Sequence, residues 1–287
     1  SMYKINFQKP IHIHFIGIGG ISMSGLAEIL LEEGFTVSGS DAKESPLTKK
    51  LESEGAVIHY GQCAENITDD INCVVYTAAI NKSNPELMEA VGKKIPMLTR
   101  AELLGQLMKN YDTPIAVSGT HGKTTTTSMI SEVLLAADMD PTISVGGILK
   151  TIGGNIRVGK SGNFITEACE YTNSFLHFYP KISVILNIEE DHLDFFKDLE
   201  DIRHSFHQFS ALLPSDGTLI INGDIKDYQE IYEGLDCNVI TYGSSAEFDY
   251  SATEIQYDEK GFVSFELLKH NTSCGRVQLS VTGDHNV

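Results

Sequence analysis

Residues 114–127, which read PIAVSGTHGKTTTT, constrain this chain more than any other segment. Their apolar start predicts a buried strand, the glycines predict a turn, and the residues from Lys123 predict the first turn of a helix. A phosphate group needs this arrangement, because loop N–H groups and the positive helix N-terminus face its oxygens. Lys123 adds a full positive charge, and the Thr124 hydroxyl can reach a Mg²⁺ ion that bridges two phosphates.

The glycine spacing in this segment leaves the class of phosphate loop open. Only two residues separate Gly119 from Gly122, whereas the common loop has four residues between its glycines. One alternative is a strand–turn–helix unit that binds nothing. From the residues alone, a P-loop kinase or NTPase and a non-catalytic nucleotide sensor also fit the pattern.

Charge and cysteine usage exclude several classes of protein. The chain has 287 residues and a formal net charge of -18, so nucleic acid and anionic lipid are not expected partners. Its five cysteines include no Cys-x-x-Cys pair, which argues against a disulfide framework or a zinc site and favours a reducing compartment. No apolar run reaches the length of a membrane span, and we find no secretory signal, so we expect a cytoplasmic protein.

Alternating strands and helices predict two α/β domains. Residues 1–112 are expected to form a Rossmann-like, doubly wound parallel sheet, and residues 113–287 a second α/β domain built around the phosphate loop. Strands are predicted at 11–17, 35–41, 56–60, 74–80, 115–118, 163–167, 182–187, 217–222 and 238–242. A hairpin over 250–268 with its turn at 258–261, a last strand at 276–281, and helices over 22–33 and 201–213 are also predicted.

A second glycine-rich segment, residues 17–25, follows the first predicted strand and reads GIGGISMSG. Its glycines let backbone N–H groups approach a pyrophosphate at a helix N-terminus, and Asp41 ends the next strand, where an acid often binds a ribose. The pattern indicates nucleotide binding. It argues against NAD, because Ser22 stands where the dinucleotide fingerprint requires its third glycine.

Acidic residues follow two predicted strands of the second domain. Glu167 and Glu170 come after one strand and offer oxygen ligands for Mg²⁺. His192 comes after the other strand, and either Asp191 or Asp194 is placed to fix its tautomer. In α/β sheets ligands gather at the carboxyl ends of strands, so Gly119, Glu167 and Asn187 are expected to share one edge.

Together these segments resemble the Mur ligase family. The matching pieces are residues 17–27, 38–41, 84–86, 119–127, 146–147, 167–176 and 187–192. They follow the family's order over nearly the whole chain. The run GTHGKT is the family's form of the ATP site, which accounts for the shortened loop.

The resemblance implies a role for each matching residue. The UDP part of a nucleotide sugar would be bound by Gly17, Gly19, Gly20, Ile21, Ser22, Met23, Ser40 and Asp41. ATP would be bound by Gly119, Thr120, His121, Gly122, Lys123, Thr124 and Thr125, and near its adenine by His285 and Asn286. One Mg²⁺ would be bound by Thr124 and Glu167 and a second by His192, and the implied catalytic residues are Lys123, Glu167 and His192. Glu170 is an additional candidate, and whether His121 touches a ligand or only shapes the turn stays open.

The implied activity is ATP-driven amide formation in peptidoglycan precursor synthesis, and through it in cell wall biogenesis, cell shape and cell division. The lactyl carboxylate of UDP-N-acetylmuramate attacks the γ-phosphate of ATP, and the amino group of L-alanine displaces phosphate from the acyl phosphate. Phosphoryl transfer depends on positioning and charge neutralisation, which glycine loops, a lysine and Mg²⁺ provide.

Three departures refine what the resemblance implies. Other members carry a lysine about fifteen residues beyond the histidine, where this chain has His207, which favours L-alanine addition over later additions. The relative that attaches a recycled tripeptide carries a cysteine in the first glycine loop, where this chain has Gly19 and Gly20. The family's third domain would begin just after Val287, so we expect a truncated ligase, monomeric or homodimeric, that binds its substrates but forms almost no product.

Overall fold

The computed structural model describes residues 2–282, which form two compact units. The first unit contains residues 2–112, 134–165 and 177–179, and the second contains residues 113–133, 166–176 and 180–282. Residues 134–165 therefore group with the N-terminal part of the chain. The division into domains at residue 112 stays a prediction.

The chain alternates between strands and helices along most of its length. The strands are β1 His12–Ile16, β2 Thr36–Asp41, β3 Val57–Tyr60, β4 Cys73–Tyr76, β5 Met97–Thr99, β6 Thr113–Ser118, β7 Thr142–Leu149, β8 Gly154–Arg157, β9 Asn163–Ala168, β10 Ile182–Ile185, β11 Thr218–Asn222, β12 Asn238–Gly243, β13 Tyr250–Tyr257, β14 Phe262–Lys269 and β15 Thr272–Thr282. The helices are α1 Ile21–Glu32, α2 Pro46–Ser53, α3 Pro85–Gly92, α4 Arg100–Met108, α5 Lys123–Ala136 and α6 Leu199–Ser210. Short 3₁₀ segments are Ala64–Asn66, Lys150–Ile152, Tyr171–His177 and Tyr228–Tyr232.

A five-stranded sheet in the order β3-β2-β1-β4-β5 forms the centre of the first unit. All four pairings are parallel, so the predicted doubly wound parallel sheet is confirmed. β1 is the central strand, and its Ile13 and Phe15 side chains are fully buried. Strand order reverses between β1 and β4, which is where such sheets leave a crevice for ligands.

The sequence did not indicate three strands of the first unit, namely β5, β7 and β8. β7 and β8 pair antiparallel, with a shifted register between Ser144 and Leu149. Four glycines lie within residues 146–154 and interrupt the alternation of apolar and polar residues from which a strand is predicted. The pair packs on α1, where the Asn155 side chain donates to the Ile21 carbonyl at 2.7 Å.

The second unit contains a longer sheet whose strands run β15-β14-β13-β12-β11-β10-β6-β9. The pairings among β6, β10, β11, β12 and β13 are parallel, and β13, β14 and β15 continue the sheet as an antiparallel meander. The predicted hairpin and its turn at residues 258–261 are confirmed. The last strand is longer than predicted and begins at Thr272.

Helix α6 begins two residues before the predicted start. The Asp198 side chain accepts a hydrogen bond from the Asp201 backbone N–H at 2.9 Å and so caps the helix. Its Phe206 and Phe209 are fully buried against Phe175, as expected for core residues. Within residues 2–282, none of the helices has the length and apolar character that a membrane crossing requires.

Candidate functional site

The first glycine loop, residues 17–22, joins β1 to α1 and presents backbone N–H groups around the helix start. Gly17 has a φ of +84°, a conformation that favours glycine. The N–H groups of Gly17 and Ile18 both donate to the Ser40 carbonyl, at 2.9 and 3.0 Å, which ties the loop to the end of β2. Gly20 is the N-cap of α1 and has no side chain to cap it, so the helix start remains available to an anion.

Asp41 is built into this loop. Its Oδ2 accepts a hydrogen bond from the Gly19 N–H at 2.7 Å, and its Oδ1 accepts one from the Ala42 N–H at 2.8 Å. A Cβ on Gly19 would lie only 2.6 Å from Asp41 Oδ2. The carboxylate therefore shapes the loop, and its predicted contact with a ribose stays a prediction.

Three other residues that the sequence predicts as substrate ligands have side chains with partners inside the protein. The Ser40 hydroxyl is fully buried and donates to Glu86 at 2.9 Å. Met23 is 2% exposed and belongs to the core. The Ser22 hydroxyl accepts a hydrogen bond from Arg100 at 3.0 Å. Any contact of Ser40 or Met23 with a ligand would therefore involve their backbone groups.

A cavity of about 630 Å³ opens beside the first glycine loop. Gly17, Gly19, Gly20 and Asp41 line one side of it. The remaining lining residues were not predicted from the sequence; they are Ile16, Gln62, Thr77, Ile80, Asn81 and Asn84. They come from the end of β1 and from the loops after β3 and β4, and only the NPE motif that follows Ser83 gave a local sign of this region.

The phosphate loop, residues 119–124, joins β6 to α5 and is held by the segment after β10. Gly119 and Gly122 have φ values of +147° and +82°. The Asn187 side chain accepts from the His121 N–H at 2.8 Å and donates to the His121 carbonyl at 3.1 Å. The predicted proximity of the phosphate loop and Asn187 at one edge of the sheet is therefore confirmed.

Lys123 is the first residue of α5 and lies between two acceptors. Its ammonium donates to the Gly119 carbonyl at 2.6 Å and lies 3.8 Å from Oε2 of Glu170. Glu170 is 2% exposed, and this oxygen has no hydrogen-bond partner among the described residues. A buried carboxylate without a compensating positive charge is costly, so Glu170 holds the lysine in the loop.

Thr124 and Glu167 meet at the start of α5. The Thr124 hydroxyl donates a short hydrogen bond to Oε1 of Glu167, the second-last residue of β9. Hydroxyl and carboxylate oxygens are the ligands that Mg²⁺ prefers, so this pair fits the predicted ion. Within residues 2–282, no group of three or more His, Cys, Asp and Glu side chains has the arrangement of a metal site, so water and phosphate oxygens would have to supply further ligands.

His192 lies next to Glu170, with 3.8 Å between its Nε2 and Oε1. The ring of Tyr171 stacks on the imidazole at a centroid distance of 4.5 Å, and its hydroxyl donates to Asp194. That hydrogen bond is the main reason why the pKa of Tyr171 lies above its ordinary value. Asp194 thus orients the imidazole through Tyr171, a relation that the sequence did not indicate.

A second cavity, of about 980 Å³, begins at the phosphate loop. His121 and Gly122 of the phosphate loop line it, together with the aromatic residues Tyr242, Tyr250 and Tyr257. His121 itself bonds Glu189, with 2.5 Å between Nε2 and Oε2. The predicted adenine ligands His285 and Asn286 lie outside the described residues.

Both parts of the chain that carry a glycine loop match domains of known proteins. Residues 12–112 match the Mur ligase family catalytic domain, and residues 117–287 match the Mur ligase middle domain. The whole chain is 63% identical to the UDP-N-acetylmuramate--L-alanine ligase of Agathobacter rectalis and 61% identical to that of Lachnospira eligens. It spans 62% of the length of each.

Two solved structures share the fold over nearly the whole chain. The UDP-N-acetylmuramate:L-alanyl-gamma-D-glutamyl-meso-diaminopimelate ligase from Neisseria meningitides is 30% identical, with a TM-score of 0.85 over 97% of this chain and 90% of that one. The UDP-N-acetylmuramate-alanine ligase MurC from Thermotoga maritima is 28% identical, with a TM-score of 0.79 over 96% of this chain and 62% of that one. With both domain matches in chain order, this chain belongs to the Mur ligase family.

Proposed function

We propose that this protein is an ATP-dependent ligase that joins L-alanine to the lactyl carboxylate of UDP-N-acetylmuramate. The observation that carries the proposal is a lysine-bearing phosphate loop with an adjoining Thr124–Glu167 pair, in a chain that has a second, uncapped glycine loop. Two anionic substrates need two such loops in a chain of net charge -18. The relatives of 63% and 61% identity support L-alanine as the amino acid.

In the proposed reaction, an oxygen of the lactyl carboxylate attacks the γ-phosphorus of ATP, and the bond to the β-phosphate oxygen breaks to release ADP. The amine nitrogen of L-alanine then attacks the acyl carbon, and inorganic phosphate leaves as the amide forms. The chain's contribution is positioning and charge. When ATP binds, the Lys123 ammonium leaves the Gly119 carbonyl and contacts the phosphates. The loop N–H groups donate hydrogen bonds to the phosphate oxygens.

We propose that Thr124 and Glu167 hold one Mg²⁺ ion, with His192 near a second. Bound there, the ion would neutralise charge on the phosphates during transfer. Thr124 and Glu167 already touch, so little rearrangement is needed to offer both oxygens. Tyr171 keeps the His192 imidazole in a fixed plane.

We assign the adenosine of ATP to the second cavity. It begins at His121 and Gly122, which is where a nucleoside attached to a phosphate in the loop must continue. Its lining includes Tyr242, Tyr250 and Phe265, whose ring faces suit stacking against a base. The five cysteines, all within the described residues, form no disulfide, which further supports a reducing compartment such as the cytoplasm.

A second candidate, addition of a tripeptide instead of L-alanine, has a specific observation in its favour. The tripeptide ligase of Neisseria meningitides has the higher TM-score of the two structures, 0.85 against 0.79. Sequence identity separates the candidates more sharply, because the two L-alanine ligases are more than twice as similar to this chain as the tripeptide ligase. We therefore favour L-alanine.

The test is release of phosphate from ATP by the intact protein. We expect release that requires both UDP-N-acetylmuramate and L-alanine, with UDP-N-acetylmuramoyl-L-alanine identified by mass spectrometry. Release that requires the tripeptide instead would establish the second candidate. ATP consumption without either amine, or phosphorylation of a nucleoside, would reject both in favour of an NTPase or kinase.

Replacing Glu167 with glutamine is expected to raise the Mg²⁺ concentration needed for half-maximal phosphate release. Loss of even an outer-shell partner costs about 10- to 100-fold in metal affinity, and we expect at least that for a direct ligand. Glu200→Gln, on the exposed surface of α6, is the matched control and should leave the Mg²⁺ dependence unchanged. An unaltered Mg²⁺ titration for Glu167→Gln would remove Glu167 from the proposed ion site.

A further inference from the structure

A fully buried carboxylate lies beneath the first cavity and is not used by the proposed reaction. Glu86, in the first turn of α3, is 0% exposed. Its Oε1 lies 2.6 Å from His14 Nε2 and accepts from the Ser40 hydroxyl at 2.9 Å, while its Oε2 accepts from Asn66 at 3.1 Å. Burial raises the pKa of Glu86, but these hydrogen bonds, led by the one from His14, outweigh it and hold the pKa below the ordinary value.

Two of these partners connect Glu86 to the first glycine loop. His14 belongs to β1, three residues before Gly17. Ser40 belongs to β2, and its carbonyl accepts the N–H groups of Gly17 and Ile18. Ser40 therefore contacts the first glycine loop through its backbone carbonyl and Glu86 through its hydroxyl.

The other connections reach the opposite side of the cavity. Asn66 donates to the Gly61 carbonyl at 3.0 Å, beside the lining residue Gln62. Asn84, which lines the cavity, caps α3 by accepting from the Glu86 N–H at 2.9 Å and donates to Gln62 at 2.5 Å. Glu86 thus joins four chain segments that carry cavity-lining residues.

A row of hydrogen bonds runs from Glu86 to the surface. His14 Nδ1 lies 2.8 Å from the Ser38 hydroxyl, and His12 Nε2 lies 2.7 Å from the same oxygen. His12 Nδ1 lies 3.0 Å from Oδ2 of Asp70, whose side chain is 72% exposed. A hydrogen bond from Thr68 and a weaker contribution from His12 hold the pKa of Asp70 below its ordinary value.

Counting protons along this row fixes its charge. Two ionised carboxylates end a row of four hydrogen bonds, so four protons must come from the residues between them. The Ser38 hydroxyl supplies one proton and each neutral imidazole supplies one, which makes three. A fourth bond would need a second proton on either His12 or His14, and the imidazolium so formed would compensate a carboxylate.

The neighbouring elements bring few other titratable groups to this row. His59 of β3 lies opposite Ser40 in the sheet register, and Cys73 of β4 lies opposite Ile13, with its pKa raised by burial to about 12. Lys93 follows α3 and is directed to the Ile67 carbonyl and Asp69. Asp70 and Glu86 are therefore the acids that face the two histidines.

We propose that Glu86 is a positioning residue for nucleotide-sugar binding, kept ionised by the proton that His14 and His12 share. It fixes the first glycine loop against the Gln62 and Asn84 side of the cavity. The nature of the ligand rests on the proposed function, but the positioning role does not require Glu86 to touch it.

The test is calorimetric titration of the full chain with UDP-N-acetylmuramate and, separately, with ATP. Glu86→Gln replaces one acceptor oxygen with an NH₂ group that must face at least one existing donor. We expect the Kd for UDP-N-acetylmuramate to rise at least about tenfold, or about 1.4 kcal/mol, while the Kd for ATP stays unchanged. Glu28→Gln is the matched control, since Glu28 is a second buried carboxylate of the same unit, paired with Lys50.

A milder variant covers the case in which Glu86→Gln does not fold. Asn66→Ala leaves Glu86 its bonds to His14 and Ser40, and should raise the same Kd by a smaller factor. An unchanged Kd in a folded Glu86→Gln or Asn66→Ala variant would overturn the positioning role. If the unaltered chain does not bind the nucleotide sugar at all, the proposed function is wrong instead.

Nitrogen-15 NMR of the imidazole rings tests the shared proton. We expect one ring of the His12–His14 pair to be protonated at both nitrogens near neutral pH. In Asp70→Asn the amide can donate to His12, so the fourth proton is no longer needed and both rings should carry one proton. Two singly protonated rings in the unaltered chain would contradict the shared proton.

Discussion

Replacing Lys123 with alanine is expected to raise the Kd for ATP by about 10- to 150-fold and to leave UDP-N-acetylmuramate binding intact. A hydrogen bond to a charged group contributes about 1.5–3 kcal/mol, which corresponds to that range. Turnover of the intact protein should fall further, by about 10²–10³, because the charge is needed most as phosphate is transferred.

The structure also predicts a side effect of this substitution. Lys123 is the cation that pairs with buried Glu170 Oε2, so its removal leaves this carboxylate oxygen buried without its lysine partner. We expect a lower melting temperature in addition to weak ATP binding. Lys181→Ala, which breaks an exposed pair with Asp216 in the same unit, is the control for loss of a lysine. Equal weakening of both ligands by Lys123→Ala would contradict separate binding loops.

Replacing Gly19 with alanine is expected to have the reciprocal effect, with UDP-N-acetylmuramate binding weakened by at least about tenfold and ATP binding unchanged. The new Cβ would lie 2.6 Å from Asp41 Oδ2 and 3.0 Å from Thr48 Cγ2. The carboxylate must therefore move and lose its bond from the Gly19 N–H, a charge-assisted bond of about 1.5–3 kcal/mol. The loop would then present its N–H groups in an altered geometry.

Gly92→Ala is the control for this variant, because a Cβ there meets no atom within 4 Å. Both variants belong to the first unit, and calorimetry with the two ligands separates loop damage from general instability. A Gly19→Ala chain that binds the nucleotide sugar normally would show that the first glycine loop is not its binding site.

The glycine loops could be predicted from sequence because their constraints are local. Gly17, Gly119 and Gly122 all adopt positive φ, and Lys123 opens its helix as the pattern requires. A few consecutive residues carry each of these features. The parallel order of the strands followed from the same alternation of short apolar runs and helices.

Features that depend on distant residues could not be predicted in this way. Glu86 stands in a recognisable motif, but its partners His14, Ser40 and Asn66 are far from it in sequence, and nothing local marks the carboxylate as buried. The stacking of Tyr171 on His192 likewise bridges two loops, so the sequence led us to expect that either Asp191 or Asp194 acts on the imidazole directly.

The reversal of strand order in the first unit has a consequence for how its selectivity can change. Because the strand order reverses between β1 and β4, a sheet of this kind leaves a crevice there without any specialised residue. In the proposed binding mode the diphosphate faces Gly17 to Gly20, whereas the cavity-lining residues Thr77, Ile80 and Asn81 occupy a separate loop after β4. If the nucleotide sugar binds in this way, substitutions in the loop after β4 would change which base or sugar is accepted without altering the glycine turn, so that selectivity and affinity could evolve independently.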